Sequence, residues 1–230
     1  MREIIFDTET TGLDSREDRI IEIGGIELDN HFPTGRTLHL YINPGDRKVH
    51  PDALAVHGIT DEFLSDKPAF ADVAEKIMSF FEGAKWIAHN ATFDMGFINA
   101  ELARLGMPAI APSEVIDTLS LARRKHPMGP NSLDALCKRY GIDNSHRTKH
   151  GALLDSELLA EVYIEMIGGR QAALGLAGPG QTSAEENDAA GAILVGRPKP
   201  LAARVTETER QAHEAMVAKI GGKALWTRYQ

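Results

Sequence analysis

Apolar residues come first in short β-branched runs and then at helical spacing. Runs at residues 3–7, 19–27 and 36–43 are separated by turn-forming pieces such as Thr11-Gly12-Leu13-Asp14 and Asp29-Asn30-His31. This pattern predicts three consecutive antiparallel strands. Val73, Ile77, Phe80 and Phe81 then recur with the period of a helix over about 71–82. A short strand at 86–89, a helix at 93–105 stopped by Gly106, and a strand at 114–117 follow. Helices near 119–125 and 132–140 and a long helix at 153–167, ending at Gly168-Gly169, complete the series. Strands first and alternation afterwards predict an α/β domain with a mixed sheet flanked by helices.

Past Leu176 the pattern breaks down. Gly, Ala, Pro, Gln and Ser dominate to about Pro200, a composition expected of a flexible linker. Helical spacing returns over 206–220 with Ala212, Ala215, Met216 and Ile220, followed by Gly221-Gly222 and Ala224-Leu225-Trp226. The expected organisation is therefore a domain at 1–170, a linker at 171–205 and a C-terminal segment at 206–230. A segment of this length is marginal as an isolated helix. It reads as a docking peptide for another protein, with folding back on its own domain as the alternative.

Composition narrows the functional classes. With 230 residues, 43% hydrophobic and 25% charged, the chain has the make-up of a globular protein with one core and an appendage. No apolar run approaches the roughly 20 residues that span a bilayer. Met1 leads directly into the first apolar run without a signal-peptide pattern, so a cytoplasmic location is expected. Cys137 is the single cysteine, which excludes an intrachain disulfide and a cysteine-built zinc site. The net charge is −8, and the part before Ala177 carries about −9, the wrong sign for gripping nucleic acid by electrostatics alone. Any polyanion handled there needs bound cations or delivery by a partner.

Three small groups of residues carry candidate chemistry. Asp7 and Glu9, two apart at the end of an apolar strand, point their carboxylates to one side. Surface strands also carry such pairs, but acids at a strand end facing a cleft suit hard divalent cations such as magnesium or manganese. Asp94 follows the strand 86–89 and the polar corner Asn90-Ala91-Thr92; alone it reads as an acid at a helix start, favoured by the macrodipole. His150 and Asp155 open the last long helix, where Asp155 sits among Leu153, Leu154, Leu158 and Leu159. An unpaired Asp facing a core is costly, and a metal would resolve the conflict. His150 by itself reads better as a solvated histidine beside Lys149 in a polar loop.

In this order the three groups resemble the DEDDh exonuclease family of RNase H-like fold, over about residues 3–170. The resemblance implies a five-stranded mixed sheet and two divalent ions, Mg²⁺ or Mn²⁺, held by Asp7, Glu9, Asp94 and Asp155, with His150 as general base. Val56-His57-Gly58-Ile59-Thr60 is similar to a family segment lining the terminal nucleotide. By the same resemblance Thr10, Thr11 and Leu13 would meet that nucleotide through backbone amides and an apolar wedge, with His57, Asn90 and Phe93 nearby. The implied substrate is a single-stranded or frayed DNA 3′ end. Met216, Leu225 and Trp226 lie in a tail that resembles the polymerase-binding segment of bacterial proofreading subunits. Gln171-Ala172-Ala173-Leu174-Gly175-Leu176 resembles a degenerate sliding-clamp peptide, with Leu176 in place of the usual aromatic end. Together these imply a replicative polymerase as partner and a sliding clamp as a second. An RNA or oligonucleotide exonuclease and a noncatalytic polymerase–clamp scaffold are the competing readings.

Overall fold

The computed structural model describes residues 1–147, 149–168 and 206–220. Five strands form one mixed sheet: β1 (Arg2–Thr10), β2 (Ile20–Asp29), β3 (Phe32–Tyr41), β4 (Lys85–Ala88) and β5 (Val115–Asp117), in the order β3-β2-β1-β4-β5. The first three are antiparallel, and β4 and β5 run parallel to β1. Around them lie α1 (Pro51–His57), α2 (Asp61–Leu64), α3 (Phe70–Phe81), α4 (Ala91–Arg104), α5 (Thr118–Lys125), α6 (Leu133–Tyr140) and α7 (Ala152–Ile167). The mixed sheet and its flanking helices are those expected from the pattern of apolar residues.

β1 is buried on both faces, and its alternation assigns each face a partner. Ile4 and Phe6 pack with α3 and α4 in a core that includes Ile77, Phe81, Phe97 and Ile98. Ile5 faces the other way, with Ile26, Leu28 and Ile87, against Leu159, Tyr163 and Ile164 of α7. Helix α7 can lie close on β2 because residue 24 is glycine: a Cβ there would sit 2.3 Å from the backbone at Ala152 and Leu153. This close approach brings the first turn of α7 down beside Glu9 and Glu22, a register pair across β1 and β2.

The elements differ from expectation mainly at their ends. β1 continues to Thr10, so Asp7 lies within the strand and Glu9 one residue short of its end. β3 begins at Phe32, four residues early, because Asn30 and His31 make the hairpin with positive φ. Helices α1 and α2 were not predicted: with seven and four residues they are too short to show a period. Their ends are nevertheless marked, by His50 and Thr60 as N-caps and by Gly58 at φ 73°.

By internal contacts the chain divides into Met1–Gly175 and Leu176–Gln230. Within the second unit only α8 (Glu207–Ile220) and Thr206 are described, and α8 has no buried residue. The linker and the residues Gln171, Leu174, Leu176, Leu225 and Trp226 lie outside the described residues. Among those that are described, no helix is long and apolar enough to cross a membrane.

Candidate active site

Asp7, Glu9, Asp94, His150 and Asp155 line one cleft of about 310 Å³ at the end of the sheet where β1 and β4 finish. Residues as far apart in sequence as Asp7 and Asp155 meet there for simple reasons. Alternation along β1 carries Asp7 and Glu9 to the side on which α7 presents Asp155. Asp94 arrives from the opposite layer, in the first turn of α4, and is held there by Thr8. The Thr8 amide and hydroxyl both donate to Asp94 Oδ1, at 3.1 and 2.7 Å. Asp117 holds the start of the same helix, accepting from the amides of Asn90 and Ala91 at 3.0 and 3.3 Å. Asn90 adopts a left-handed φ of 66°, and with Phe93 it completes the cleft wall beside the acids.

At the other rim, α7 is seated by Glu22, whose Oε2 accepts from the Ala152 amide at 3.1 Å. Asp155 is buried, and both its oxygens pair with Arg147: Nε to Oδ1 at 2.6 Å and Nη2 to Oδ2 at 2.7 Å. Arg147 Nη1 reaches both oxygens of Asp134, each at 3.0 Å, and Nη2 lies 2.9 Å from His150 Nδ1. The His150 side chain is 48% exposed, with Nδ1 3.3 Å from Asp155 Oδ2, so the rest of the ring opens on the cleft mouth. Donor atoms of Glu9, His150 and Asp155 lie within 4.8 Å of one another, a spacing that could hold a metal ion.

Electrostatics set these acids apart. Burial, then the charges of Asp94, Glu9 and Asp155, push the Asp7 carboxyl well above its ordinary range, although its side chain keeps some contact with solvent at the cleft floor. Burial followed by Glu22, Asp155 and Asp94 brings Glu9 up to about 8. Asp94 rises to about 7, chiefly through burial, against the lowering effect of the Thr8 hydrogen bonds. Arg147 opposes the rise at Asp7 and Glu9 and, among the described residues, is the one Arg or Lys side chain in the cleft wall. Mutually repelling, proton-retaining carboxylates around open space are an arrangement that divalent cations would neutralise.

The expected nucleotide contacts divide. Asn90 and Phe93 share the cleft with the acids. Leu13, 86% exposed, instead borders a neighbouring apolar hollow with Gly12, His50, Ala53 and Val56. His57 is buried; Nδ1 accepts from the Ile59 amide at 2.9 Å, and among the described residues Nε2 has no hydrogen-bond partner. The backbone contact expected of Thr11 does not hold, because its amide already donates to the Arg19 carbonyl at 2.9 Å. Its hydroxyl donates to Asp18, and that of Thr10 to the Gly12 carbonyl, so both hydroxyls shape the loop after β1. The same loop is tied to α4 by the Arg19–Glu101 pair at 2.6 Å and by Arg104, which donates to the carbonyls of Ser15 and Arg16.

Sequence reasoning missed Thr8, Glu22, Asp117, Asp134 and Arg147. Thr8 could have been suspected from its place between the two acids, but none of the others stands in a recognisable spacing.

A family model described as Exonuclease matches residues 4–163. The DNA polymerase III subunit epsilon of Escherichia coli (strain K12) is 45% identical over 237 residues, covering 98% of this chain and 97% of that protein. The subunit of the same name from Rickettsia felis is also 45% identical, over 96% of this chain and 97% of its own. Among solved structures, exonuclease X in complex with 5′ overhanging duplex DNA superposes with a TM-score of 0.57 at 30% identity, over 73% of this chain and 91% of that one. The nuclease domain of 3′hExo, a DEDDh family member bound to rAMP, gives a TM-score of 0.63 at 17% identity over 73% and 92%, a likeness of fold.

Proposed function

The chain belongs to the exonuclease family and, within it, to the DNA polymerase III epsilon subunits, and from that premise we propose how its residues carry out 3′-to-5′ proofreading hydrolysis. Asp7, Glu9, Asp94 and Asp155 hold two divalent cations, Mg²⁺ or Mn²⁺, and His150 takes the proton of the attacking water. The observation that carries this reading is the convergence of all five side chains in one cleft. The donor set fits such ions: carboxylate oxygens around open space, several retaining protons because they are buried and repel one another.

Bound cations would neutralise charge building on the attacked phosphate and lower the barrier to generating hydroxide. The chain's own groups do the rest. His150 leaves its open ring edge at the cleft mouth, within reach of a water, and imidazole is the side chain most often used as a general base. Phe93 offers an apolar wall against the terminal nucleotide, and Asn90 adds a polar group beside it. Leu13 and Val56 offer an apolar surface next to the cleft, suited to a base unstacked from its neighbour. Contacts of this kind do not read base edges. Selection then falls on ends that fray readily, and a mismatched terminus unpairs at lower cost than a matched one.

For the tail, we propose a linker over 171–205 that includes a clamp-binding peptide around Gln171, Leu174 and Leu176, and a polymerase-binding segment over 206–230 using Met216, Leu225 and Trp226. In support, Met216 is 57% exposed on a helix that buries none of its own residues, as a docking peptide without its partner would be. The names of the relatives, subunits of a DNA polymerase, point the same way.

An end-labelled primer with paired or mispaired 3′ terminus, incubated with Mg²⁺ or with chelator, tests polarity, metal need and editing preference together. Metal-dependent loss of mononucleotides from the 3′ end, faster when mispaired, is expected; chelator-resistant cleavage would refute the scheme. Deleting 206–230 should leave hydrolysis of free oligonucleotides intact and abolish copurification with the polymerase. Unchanged copurification would remove the tail assignment.

A further inference from the structure

Arg147 stands in the cleft in a way that the hydrolytic scheme does not require. Its side chain is 8% exposed, and its donors go to three acceptors: both oxygens of Asp155, both oxygens of Asp134 and His150 Nδ1. A guanidinium fork matched to both oxygens of a carboxylate is the strongest form of this pairing. It also claims the oxygens that the scheme above assigns to a divalent cation. A unit charge a few ångströms from that cation is strongly repelled by it in a partly buried site.

The charges around the cleft indicate where Arg147 goes. Among the described residues five carboxylates line the wall, those of Asp7, Glu9, Asp94, Asp134 and Asp155, against the single guanidinium. Two dications and Arg147 together balance the five. Once two dications neutralise the four inner acids, Arg147 and Asp134 remain as a neutral pair. The contact between them already exists, so the guanidinium need only release Asp155 and keep Asp134, whose side chain is 58% exposed.

We infer that Arg147 is the resident counter-cation of the cleft: it occupies Asp155 when no divalent ion is bound and withdraws onto Asp134 when one binds, so that the Arg147–Asp134 pair sets metal affinity. Arg147 is thereby a positioning residue. It keeps Asp155 paired and oriented in the metal-free protein and opposes metal loading until the ion concentration suffices to displace it. This inference rests on the assignment of Asp155 as a metal ligand.

The test is Mn²⁺ binding to the chelator-stripped full chain, followed by electron paramagnetic resonance or calorimetry at fixed pH and without DNA. Arg147→Gln should tighten Mn²⁺ binding by on the order of tenfold and lower the melting temperature of the metal-free protein. Asp134→Asn should weaken binding, since Arg147 then has no carboxylate to withdraw onto. In the double variant the Asp134 effect should vanish, because it acts only through Arg147. Unchanged or weaker binding in Arg147→Gln, or an Asp134→Asn effect that persists in the double variant, would overturn the inference. If Arg147→Gln does not fold, Arg147→Lys keeps the charge but loses the two-pronged grip, and it should tighten binding by a smaller factor; binding no tighter than wild type would be equally fatal. Wild-type protein that binds Mn²⁺ while Arg147→Gln gains nothing removes this inference alone. Wild-type protein that binds no Mn²⁺ removes the metal assignment together with it.

Discussion

Buried acids occur at both ends of the central sheet, and the two ends treat them oppositely. At the end remote from the cleft, Glu27 is buried and held by Arg2 at 2.5 Å, Arg36 at 2.9 Å and the Thr34 hydroxyl at 2.7 Å. Burial alone would raise its carboxyl, but these partners outweigh it and hold the group below its usual range. Glu3, fully buried, accepts from the Tyr163 hydroxyl at 2.8 Å and lies 2.8 Å from His31 Nδ1. At the cleft end, Asp7, Glu9 and Asp94 are pushed upward, with one arginine among them. Acids that hold a fold together come with their partners folded in. The acids proposed to hold a cation are left facing one another, and the imbalance marks the candidate site.

The sharpest way to break this comparison is to remove one acid from each end. Asp7→Asn should abolish metal-dependent 3′ cleavage, by about 10⁴-fold or more if both ions are lost. It should leave the metal-free melting temperature unchanged or higher at pH 8, because a repelling carboxyl has gone. A clear fall in that temperature would mean that Asp7 is structural. His150→Ala should reduce turnover by roughly 10²- to 10⁴-fold while changing Mn²⁺ affinity much less; equal losses in both would make His150 a ligand rather than a base.

At the far end, Glu27→Ala should leave turnover of folded enzyme near wild type. Its expected cost is about 2–3 kcal/mol of stability, as Arg2 and Arg36 lose their partner. Denaturant titration with a parallel primer assay separates the two effects, and lost turnover with intact stability would contradict the division of roles.

The remaining effect concerns stability against pH rather than turnover. Glu9 and Asp94 retain protons in the folded chain up to about 8 and 7, whereas the unfolded chain releases them near the ordinary carboxylate values of 4.5 and 3.8. The folded state therefore binds more protons over that window, and metal-free stability should fall as pH rises from about 5 to 8. Glu27 acts in the opposite sense, adding stability above its ordinary range that is lost only on acidification. Denaturation in chelator at pH 5.5 and 8.5 should show the decline, and Mg²⁺ should shrink it; a flat profile would argue against the raised carboxyls.

Much of the candidate site was legible before the fold was known, because the acids proposed to act there sit where local pattern is strong. Asp7 and Glu9 terminate an alternating run, Asp94 follows a strand and a polar corner, and Asp155 interrupts a leucine-rich helix. What escaped notice were the residues that hold them. Thr8 reaches an acid 86 residues away, and Glu22 caps a helix 130 residues on. Arg147 sits in a polar loop with no period to read, and only the fold shows that it stands beside the acids.

The sequence by itself determined the order of strands and helices, the face of β1 that carries Asp7 and Glu9, and the kinds of side chain available for a hard cation. Periodicity and side-chain chemistry are local, so they survive in a linear string. Only the tertiary structure decided which acids are satisfied and which are not. It brought Arg2 and Arg36 to Glu27, and it left Asp7, Glu9 and Asp94 to share one cleft with Arg147. A charge has meaning through its neighbours, and those neighbours were chosen by the packing of α7 on β2 and of α4 against β1, contacts that span most of the domain.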